Sequence, residues 1–579
     1  MTAAAIFRML TAAFFLIPVV SSAQSAPARL PQAAMDQYFA RLAPFGASGA
    51  IVIAQRGRIV YRTGFGMADR AKRIPMTPAA GVDIASMTKT LTAVAILQLE
   101  ERDLLHRTDS ISAHLDSVPD DKRSITIQQL LMHRSGLPQY FMEGNDFVRI
   151  NRRDALHGIL AAKLDFPPGT DESYSDAGYT LLAMIAERVT GDSIETLLDR
   201  EQFRRAGISR THSYGTSSLN AMINVAHGYL GHEDRGTPVG YVSTPDYWIL
   251  KGAGGVVSTA DDIAAWELAL ERGSLLGAES RAALAGTVDS VGIAGDRIVM
   301  PSGRTAWVRT GAQDFGFASA VLRYVSDSTI AVITINRQPE AMDVSNIRDR
   351  LLYDMDAFIF GKAPPMPPSV IARSVPESIE GMYQLGDSST LRIEVDGDRI
   401  VAYPDGPLAV ELLTQSIASH SRASRLELTK RAVEMIRHFC TGDSVTFRSA
   451  FVRESPRLES YVRSTACADT ASRLRAVGTL PRWWARPPSE SLATILEVSG
   501  TGKKQFRLEW AGDRISAVGG GAVMAPATSF VAAGNGEYIG YHLGIRSPVR
   551  MIVVNNALEF RGDGVTYRAV RVGDGAKPD

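Results

Sequence analysis

The sequence has little of several features that define other classes of protein. Only two of its 579 residues are cysteines, so neither a disulfide-rich scaffold nor a metal-ligand cysteine cluster is expected. Neither sign of charge is in excess, because Lys plus Arg and Asp plus Glu each number 62. A balanced charge gives no electrostatic reason to expect nucleic acid or an anionic membrane as a partner. With 45% hydrophobic and 21% charged residues, the composition is that of a globular protein.

Long hydrophobic runs are also missing once the N-terminus is passed. The run from Met9 to Val20 has 12 residues, which is too short to span a bilayer, and Arg8 is the one charge before it. Small residues follow and end at Ala23. We predict a secretory signal peptide over 1–23, cleaved after Ala23 or Ala26; the alternative is a buried N-terminal helix. The mature chain is then expected to be exported, periplasmic or extracellular, without a transmembrane anchor.

The length is too great for one hydrophobic core, so several domains are expected. In the N-terminal part, over 27–361, predicted hairpins at both ends (48–63 and 317–336) flank a helical middle, and a helix over about 343–360 closes the unit. This pattern predicts an α/β domain in which helices pack on an antiparallel sheet. Four prolines among residues 361–368 predict an extended, semi-rigid linker, assigned to 362–369.

Beyond this linker the pattern changes to short alternating segments separated by turn residues. Examples are 425–428, 446–453 and 549–554. A second Trp- and Pro-containing boundary lies at 482–488. We predict a C-terminal all-β region of two separately folded units, barrels or sandwiches, over 370–481 and 488–575.

One stretch carries the pattern of a nucleophile and its base. Ser86 precedes Lys89 by three residues, and Thr90 to Glu101 contains neither Gly nor Pro. Apolar residues at helical spacing predict a largely buried helix from about Ser86, which puts Ser86 and Lys89 on one face. A serine hydroxyl becomes nucleophilic when a neighbouring group takes its proton, and a desolvated lysine can be that group. The structural alternative is a helix-capping serine with a lysine that reaches solvent.

Other landmarks follow in order along the chain. His133 ends a capped helix; it could be catalytic, but a structural role at the helix C-terminus is favoured. Tyr174-Ser175-Asp176 precedes another helix, Gly252 to Ala260 joins a Gly-rich turn to a capped helix, and Arg309-Thr310-Gly311-Ala312 comes before the second predicted hairpin.

Together, these landmarks resemble the serine β-lactamase and penicillin-binding protein family, and most closely its class C branch. The likeness covers roughly residues 35–361, while the C-terminal region is similar only in layout to D-aminopeptidases that carry β-barrels. The resemblance implies an acyl-enzyme mechanism without metal or organic cofactor. Ser86 would attack a carbonyl, and Lys89 and Tyr174 would share its proton. The backbone N–H groups of Ser86 and Ala312 would form the oxyanion hole.

Two positions depart from the family pattern. Asp176 stands where Asn is common, and an ionised carboxylate cannot donate a hydrogen bond to a substrate carbonyl. It would also stabilise the Lys89 ammonium, which pushes the role of base toward Tyr174. Arg309 replaces the usual Lys or His and is expected to bind a substrate carboxylate, with Thr310 and Gly311 beside it.

Three functions remain open from the sequence. The first is an exported serine hydrolase acting on a small-molecule or peptide substrate: a D-amino-acid peptide, a β-lactam or a related amide, carboxylate-bearing by the argument from Arg309. The second is a carboxylesterase, which Asp176 favours. The third is a non-catalytic penicillin-binding or cell-wall-binding protein, against which the intact Ser86, Lys89 and Tyr174 argue. The oligomeric state is not predicted.

The two cysteines, Cys440 and Cys467, are expected to form a disulfide. They lie 27 residues apart in one predicted β-rich unit, and export would place them in an oxidising compartment. Two buried free thiols are the alternative, because the geometry that a disulfide needs cannot be read from sequence.

Overall fold

The computed structural model describes residues 30–573 except for 143–147, 232, 242–245, 287–292, 294, 339–346, 362, 372, 388, 415–421, 444–446, 448, 452–461, 464–466, 468–473, 482–491, 499–503, 521–526, 544–547 and 563–564. The predicted signal peptide lies outside the described residues. Within them, no helix combines the length and apolar character needed to cross a membrane.

The helices are numbered in chain order: α1 (Gln32–Leu42), α2 (Thr88–Glu101), α3 (Ile127–Leu131), α4 (Arg152–Ala161), α5 (Asp176–Thr190), α6 (Ile194–Leu198), α7 (Arg204–Ala206), α8 (Ser217–Asn220), α9 (Pro238–Tyr241), α10 (Ala260–Glu271), α11 (Ala278–Ala285), α12 (Ile347–Phe360), α13 (Pro407–Thr414) and α14 (Arg422–Cys440).

The strands are numbered likewise: β1 (Gly49–Gln55), β2 (Arg58–Phe65), β3 (Met67–Asp69), β4 (Ile74–Pro75), β5 (Val82–Asp83), β6 (His212–Ser213), β7 (Gly228–Leu230), β8 (Glu233–Gly236), β9 (Val256–Ser258), β10 (Asp296–Val299), β11 (Thr305–Ala312), β12 (Ala318–Tyr324), β13 (Thr329–Ile335), β14 (Arg337–Gln338), β15 (Gly381–Leu385), β16 (Ser389–Asp396), β17 (Arg399–Asp405), β18 (Leu474–Pro481), β19 (Leu492–Val498), β20 (Lys504–Ala511), β21 (Arg514–Gly520), β22 (Thr528–Gly534), β23 (Glu537–Tyr541), β24 (Val549–Val554), β25 (Ala557–Gly562) and β26 (Val565–Gly573).

The N-terminal domain is built on one antiparallel sheet in the order β10-β11-β12-β13-β1-β2. Both predicted hairpins are present, as β1–β2 and β12–β13, and strand β1 pairs with β13 from Gly49↔Ile335 to Gln55↔Thr329. The first and last strands of this sheet in chain order are therefore neighbours, which confirms the expectation of an antiparallel sheet drawn from both ends and packed by helices.

Helix α2 occupies the centre of the helical layer on one face of this sheet. Every residue from Thr88 to Leu99 is buried, and its apolar side chains belong to the largest hydrophobic cluster, together with those of α5 and α10. A helix that is apolar all round is one that its neighbours enclose on every side. Helices α1 and α12 pack in a second cluster against the other face of the sheet.

The C-terminal region differs from the two consecutive β-rich units that the sequence predicts. Strands β15–β17 and β22–β26 form one closed eight-stranded barrel. The chain between β17 and β22 forms an insertion, in which β18–β21 make a four-stranded sheet that packs with α14. Strand β18 comes from the first predicted unit and pairs with β19 from the second, so the proposed boundary at 482–488 does not separate two folds.

One predicted strand in this region is wrong. The segment 425–428 lies inside α14, because its short alternation is part of a longer helical pattern. Buried Ala432, Met435, Ile436 and Phe439 follow at spacings of three and four residues and face the four-stranded sheet. The predicted strand over 446–453 falls partly outside the described residues, and Phe451 makes only an isolated bridge to Ile515.

Cys440 is the last residue of α14, and the structure joins it to Cys467 in a disulfide with a Cα–Cα distance of 5.1 Å. Both cysteines pack against the hydrophobic cluster of the insertion. The bond ties the end of the long helix to the segment that leads back to the four-stranded sheet.

The barrel packs directly against the N-terminal domain, so the proline segment is not the sole connection between them. Val531, Tyr541 and Leu543 of the barrel region belong to the same cluster as α1 and α12, and the Tyr541 ring lies 5.2 Å from that of Phe45. The proline segment is itself packed: Met366 contacts this cluster, and Pro364 and Pro367 are buried.

Charged groups hold a second part of the same interface. Asp396, at the turn between β16 and β17, forms ion pairs with Arg70 and Arg337 of the N-terminal domain and with Arg399 of its own hairpin. Burial, and then the charge of Arg399, lower the pKa of Arg70 to about 10. Three arginines thus converge on one carboxylate.

Candidate active site

The nucleophile lies in a tight turn at the start of α2. Ser86 is the middle residue of a 3-10 turn over Ala85–Met87, which runs directly into the helix. Ala85 has a φ of 49°, in the left-handed region, and its N–H donates to Asp83 Oδ1 at 2.6 Å. Tyr214 donates to the other carboxylate oxygen of Asp83. These bonds stabilise a backbone conformation that costs about 1 kcal/mol for a non-glycine residue.

Ser86, Lys89 and Tyr174 are brought together. Lys89 Nζ lies 3.2 Å from Ser86 Oγ, as the spacing of one helical turn predicts. The Tyr174 hydroxyl donates to Ser86 Oγ at 2.7 Å, although 88 residues separate the two in sequence. The serine hydroxyl is therefore in contact with both groups that could exchange a proton with it.

Lys89 is buried, yet its charge is well stabilised. Its Nζ lies 2.6 Å from Asp176 Oδ1 and donates to the Ala253 carbonyl at 2.9 Å. Burial on its own lowers the pKa of Lys89, but the Asp176 carboxylate and the Tyr174 hydroxyl more than offset this, and the net pKa is raised. At neutral pH the lysine is an ammonium.

Asp176 is held in place by its helix as well as by Lys89. It is the first residue of α5, where a negative charge is favourable, and Ser175 caps the helix by accepting from the Gly178 N–H. Gln139 Nε2 donates to Asp176 Oδ2 at 3.3 Å. Both carboxylate oxygens thus have protein partners.

His133 supports Tyr174 and does not reach the nucleophile. Its ring lies 4.7 Å from the Tyr174 ring, and Nδ1 accepts from the Ser175 N–H at 3.1 Å. Burial, and then the Lys89 charge, lower the pKa of His133 to about 4, so it is neutral near pH 7. The hydrogen-bond partner of the His133 ring is thus a backbone N–H of the loop that carries Tyr174.

The register of β11 shows which backbone donor faces the cleft. Gln313 N–H donates to the Phe317 carbonyl, so Gln313 and Phe317 are a hydrogen-bonded pair, and the alternation of antiparallel pairs makes Ala312↔Ala318 a non-bonded one. The Ala312 N–H therefore points away from β12. On that side β10 pairs only with Thr305 to Val308, so the Ala312 N–H is directed at the cleft.

Gly311 allows this strand to approach the nucleophile turn. A Cβ added at Gly311 would lie 2.2 Å from the Ile84 carbonyl oxygen and 3.0 Å from Ser86 N. Any side chain at this position would push the strand away. Glycine at this position therefore lets β11 pass close to the nucleophile turn, with Ser86 and Ala312 both lining the cleft.

Arg309 does not line the cleft, contrary to the expectation that it binds substrate. Its Nη1 donates to Glu267 Oε1 at 2.6 Å, and its guanidinium lies 3.8 Å from the centre of the Trp307 ring. Both charged side chains are almost fully buried. Strand alternation explains the difference, because neighbouring side chains of β11 face opposite ways: Thr310 lines the cleft, and Arg309 faces α10.

The cleft has further walls that the sequence did not identify. Besides the predicted residues it is lined by Asp83, Gln139, Tyr140, Tyr247, Leu250, Gln313 and Arg348. No local motif marks these positions, since loops and helix ends from distant parts of the chain bring them together. Among the described residues, no group of three or more His, Cys, Asp and Glu side chains is placed to hold a metal.

Comparison with known proteins agrees with this geometry. A model of the β-lactamase family matches residues 40–354, which is more than half of the chain. The putative penicillin-binding protein PbpX of Bacillus subtilis (strain 168) is 33% identical over 239 residues, 41% of this chain and 59% of that protein. Penicillin-binding protein 4* of the same organism is 23% identical over 395 residues, 64% of this chain and 86% of that protein.

Among solved structures, the octameric penicillin-binding protein homologue from Pyrococcus abyssi covers 93% of this chain and 98% of its own, with 16% identity and a TM-score of 0.48. The fold and the site define a β-lactamase-like domain with an appended barrel. The chain belongs to the β-lactamase family. It spans about three fifths of the length of PbpX.

Proposed function

We propose that this protein is a serine hydrolase that works through an acyl-enzyme on Ser86. The observation that carries the proposal is the contact of Ser86 Oγ with both Lys89 Nζ and the Tyr174 hydroxyl, at 3.2 and 2.7 Å. The Ser86 and Ala312 N–H groups supply donors for the oxyanion that forms on attack. No step of this mechanism requires a metal or an organic cofactor.

The protonation states of Lys89 and Tyr174 make Tyr174 the group that accepts the proton of Ser86. With Lys89 held as an ammonium by Asp176, the form that accepts the Ser86 proton is one in which the Lys89–Tyr174 pair has lost a proton. Burial also raises the pKa of Tyr174, while the Lys89 charge opposes that shift. The reactive form is therefore a tyrosinate beside an ammonium, or its tautomer, and it becomes more populated as pH rises.

After attack, Tyr174 returns the proton to the leaving group, and water hydrolyses the ester on Ser86 by the reverse sequence. The substrate class we propose is an amide or lactam of the D-amino-acid peptide type. A substrate carboxylate would not meet Arg309, and the cation that lines the described part of the cleft is Arg348.

Carboxylester hydrolysis is a second candidate, which Asp176 favours. Its two oxygens are bound to Lys89 and Gln139, and a carboxylate cannot offer the N–H that recognises an amide carbonyl. An ester, which needs no such recognition and has a better leaving group, would be less affected by the replacement.

One panel separates the candidates. The exported fraction is labelled with a fluorescent penicillin and with a fluorophosphonate, and turnover is measured on a p-nitrophenyl ester, nitrocefin and a D-alanine anilide. Turnover of the anilide or nitrocefin supports the amide and lactam class, and ester turnover alone supports the esterase. Stable penicillin labelling without turnover of any substrate would favour a binding protein. Recovery of the chain outside the cytoplasm tests the export that we also propose.

Ser86→Ala is the direct test of the nucleophile. We expect loss of essentially all turnover and labelling with an unchanged thermal unfolding midpoint, because the side chain only loses a hydroxyl in a half-buried position. Ser218→Ala, an exposed position in α8 of the same domain and outside the cleft, serves as the control. Wild-type turnover by Ser86→Ala would refute the mechanism.

A further inference from the structure

Arg348 is a cleft residue that the mechanism above does not use. It lies in the first turn of α12 and is 4% exposed. Its Nη1 donates to the Gly311 carbonyl at 2.6 Å. Its Nε and Nη2 lie 2.7 and 2.6 Å from Asp349 Oδ1. Asp349 thus fixes the guanidinium in the orientation that directs Nη1 at strand β11.

The bond from Arg348 acts on the same peptide group as the oxyanion-hole donor. The Gly311 carbonyl and the Ala312 N–H belong to one trans amide, in which C=O and N–H point in opposite directions. The guanidinium therefore contacts the oxygen end, and the N–H end faces the cleft. Hydrogen bonds in series polarise one another, and a bond from an ionised donor is roughly twice as strong as a neutral one.

We propose that Arg348 is a positioning residue for the oxyanion hole. It fixes and polarises the Gly311–Ala312 peptide, so that the Ala312 N–H is a better donor to the carbonyl oxygen of the substrate as negative charge develops there. This inference rests on the acyl-enzyme function proposed above. Because the charge is greatest in the transition state, the effect falls on kcat and not on KM.

A direct substrate contact makes a different prediction. If Arg348 bound a carboxylate of the substrate, its loss would raise KM, and only for substrates that carry that carboxylate. The two roles are separated by measuring kcat and KM on an uncharged p-nitrophenyl ester and on a neutral amide, next to a carboxylate-bearing analogue.

The variants are Arg348→Met, Arg348→Lys and Arg348→Gln, with Arg304→Met as the matched control. Arg304 is also a largely buried arginine, paired with Asp327 and stacked on Phe360 at the far end of the same helix. We expect Arg348→Met to lower kcat roughly 10–100-fold on all three substrates, less than the ~10²–10³-fold loss on deleting a donor. Arg348→Lys should recover part of this loss, and Arg304→Met should keep wild-type kcat.

A spectroscopic readout excludes a purely structural effect. The carbonyl stretching frequency of the acyl-enzyme reports hydrogen bonding in the oxyanion hole, and it should move to higher frequency in Arg348→Met but not in Arg304→Met. Thermal unfolding shows whether Arg348→Met folds. If it does not, the same measurements are made on Arg348→Gln. This variant keeps a neutral donor, so we expect an intermediate shift of the carbonyl frequency.

The outcomes distinguish the two proposals. If wild-type Ser86 is labelled by neither the fluorophosphonate nor the fluorescent penicillin and none of the substrates is turned over, the acyl-enzyme function is rejected, and the proposed role of Arg348 is rejected with it. Wild-type labelling combined with an unchanged kcat and carbonyl frequency in the Arg348 variants overturns only the role of Arg348. A loss confined to carboxylate-bearing substrates also overturns it and reassigns Arg348 to substrate binding.

Discussion

Asp176 is the residue that most changes the chemistry of this site from what its landmarks suggest. Burial lowers the pKa of Lys89, and the Asp176 carboxylate, 2.6 Å from Nζ, is the main group that reverses this shift and keeps the lysine an ammonium. In the proposed mechanism, Lys89 and Tyr174 are both protonated at neutral pH, and the pair must lose one proton before Ser86 can attack. If this mechanism holds, the Asp176 carboxylate sets the pH range in which Ser86 is reactive.

Asp176→Asn should move the pH profile toward acid. Removing the carboxylate removes the group that raises the pKa of Lys89, so the proton-depleted form is reached at lower pH. We expect the rising limb of kcat/KM on an uncharged ester to shift to lower pH, with higher activity near neutrality. Asp171→Asn, an exposed carboxylate five residues earlier, should leave the profile unchanged. A shift of the rising limb to higher pH would contradict the argument that Asp176 acts by raising the pKa of Lys89.

Arg309→Ala should affect stability and not specificity. Glu267, which lies in the helical layer, would lose its closer partner, at 2.6 Å, and would keep Arg323 at 3.8 Å. Breaking a buried ion pair from one side costs about 3–5 kcal/mol, and Arg323 should hold the loss toward the lower end. Chemical denaturation measures this loss. The double variant Arg309→Met with Glu267→Gln should lose clearly less. If Arg309→Ala instead kept wild-type stability and selectively lost carboxylate-bearing substrates, the side chain would have to reach the cleft.

At the scale of elements, local signals were predictable and long-range pairings were not. Helix α2 and both hairpins follow from periodicity and turn residues, and the position of Lys89 follows from helical spacing. Which face of β11 a residue occupies depends on strand register, so Arg309 was assigned to the wrong side. The sequence predicted barrels or sandwiches in the C-terminal region. It did not show that strands on both sides of an insertion close one barrel, because no short pattern encodes such a pairing.

A disulfide stabilises the insertion between β17 and β22. The disulfide between Cys440 and Cys467 closes a loop of 27 residues, worth about 3–4 kcal/mol in the chain-entropy model. We expect no free thiols when protein from the exported fraction is unfolded without reductant and titrated. Cys440→Ala with Cys467→Ala should lower the midpoint of the transition of the insertion while activity on the ester is kept. Two free thiols per chain would contradict both the bond and the oxidising compartment.

At the scale of the whole molecule, the barrel is held against the N-terminal domain by an apolar contact and by Asp396. Removing that carboxylate leaves Arg70, Arg337 and Arg399 facing one another. Asp396→Ala should therefore weaken docking by about 2–5 kcal/mol. We expect limited proteolysis to cut the variant within 361–373 and release a fragment of about residues 27–360, while the wild type resists cleavage there.

The matched control for this experiment is Asp398→Ala, two residues along at the same turn. It should leave the wild-type protease pattern unchanged. Equal cleavage of the wild type and of Asp396→Ala would mean that the ion pairs do not hold the barrel, and that the proline segment is accessible whatever the state of this hairpin.

The pairing of β1 with β13, and of β17 with β22, has a consequence for synthesis of the chain. As the polypeptide leaves the ribosome, β1 can pair with β2 at once, but its second partner, β13, is made only much later, and β17 likewise pairs with β16 long before β22 exists. Until then β1 and β17 each have one edge whose backbone N–H and C=O groups lack a partner strand. Such edges can pair with other nascent chains and cause aggregation. The insertion can fold during the second interval. A ribosome that stalls after β21 would thus release a chain with a mature hydrolase domain, a folded insertion and three barrel strands open on both sides.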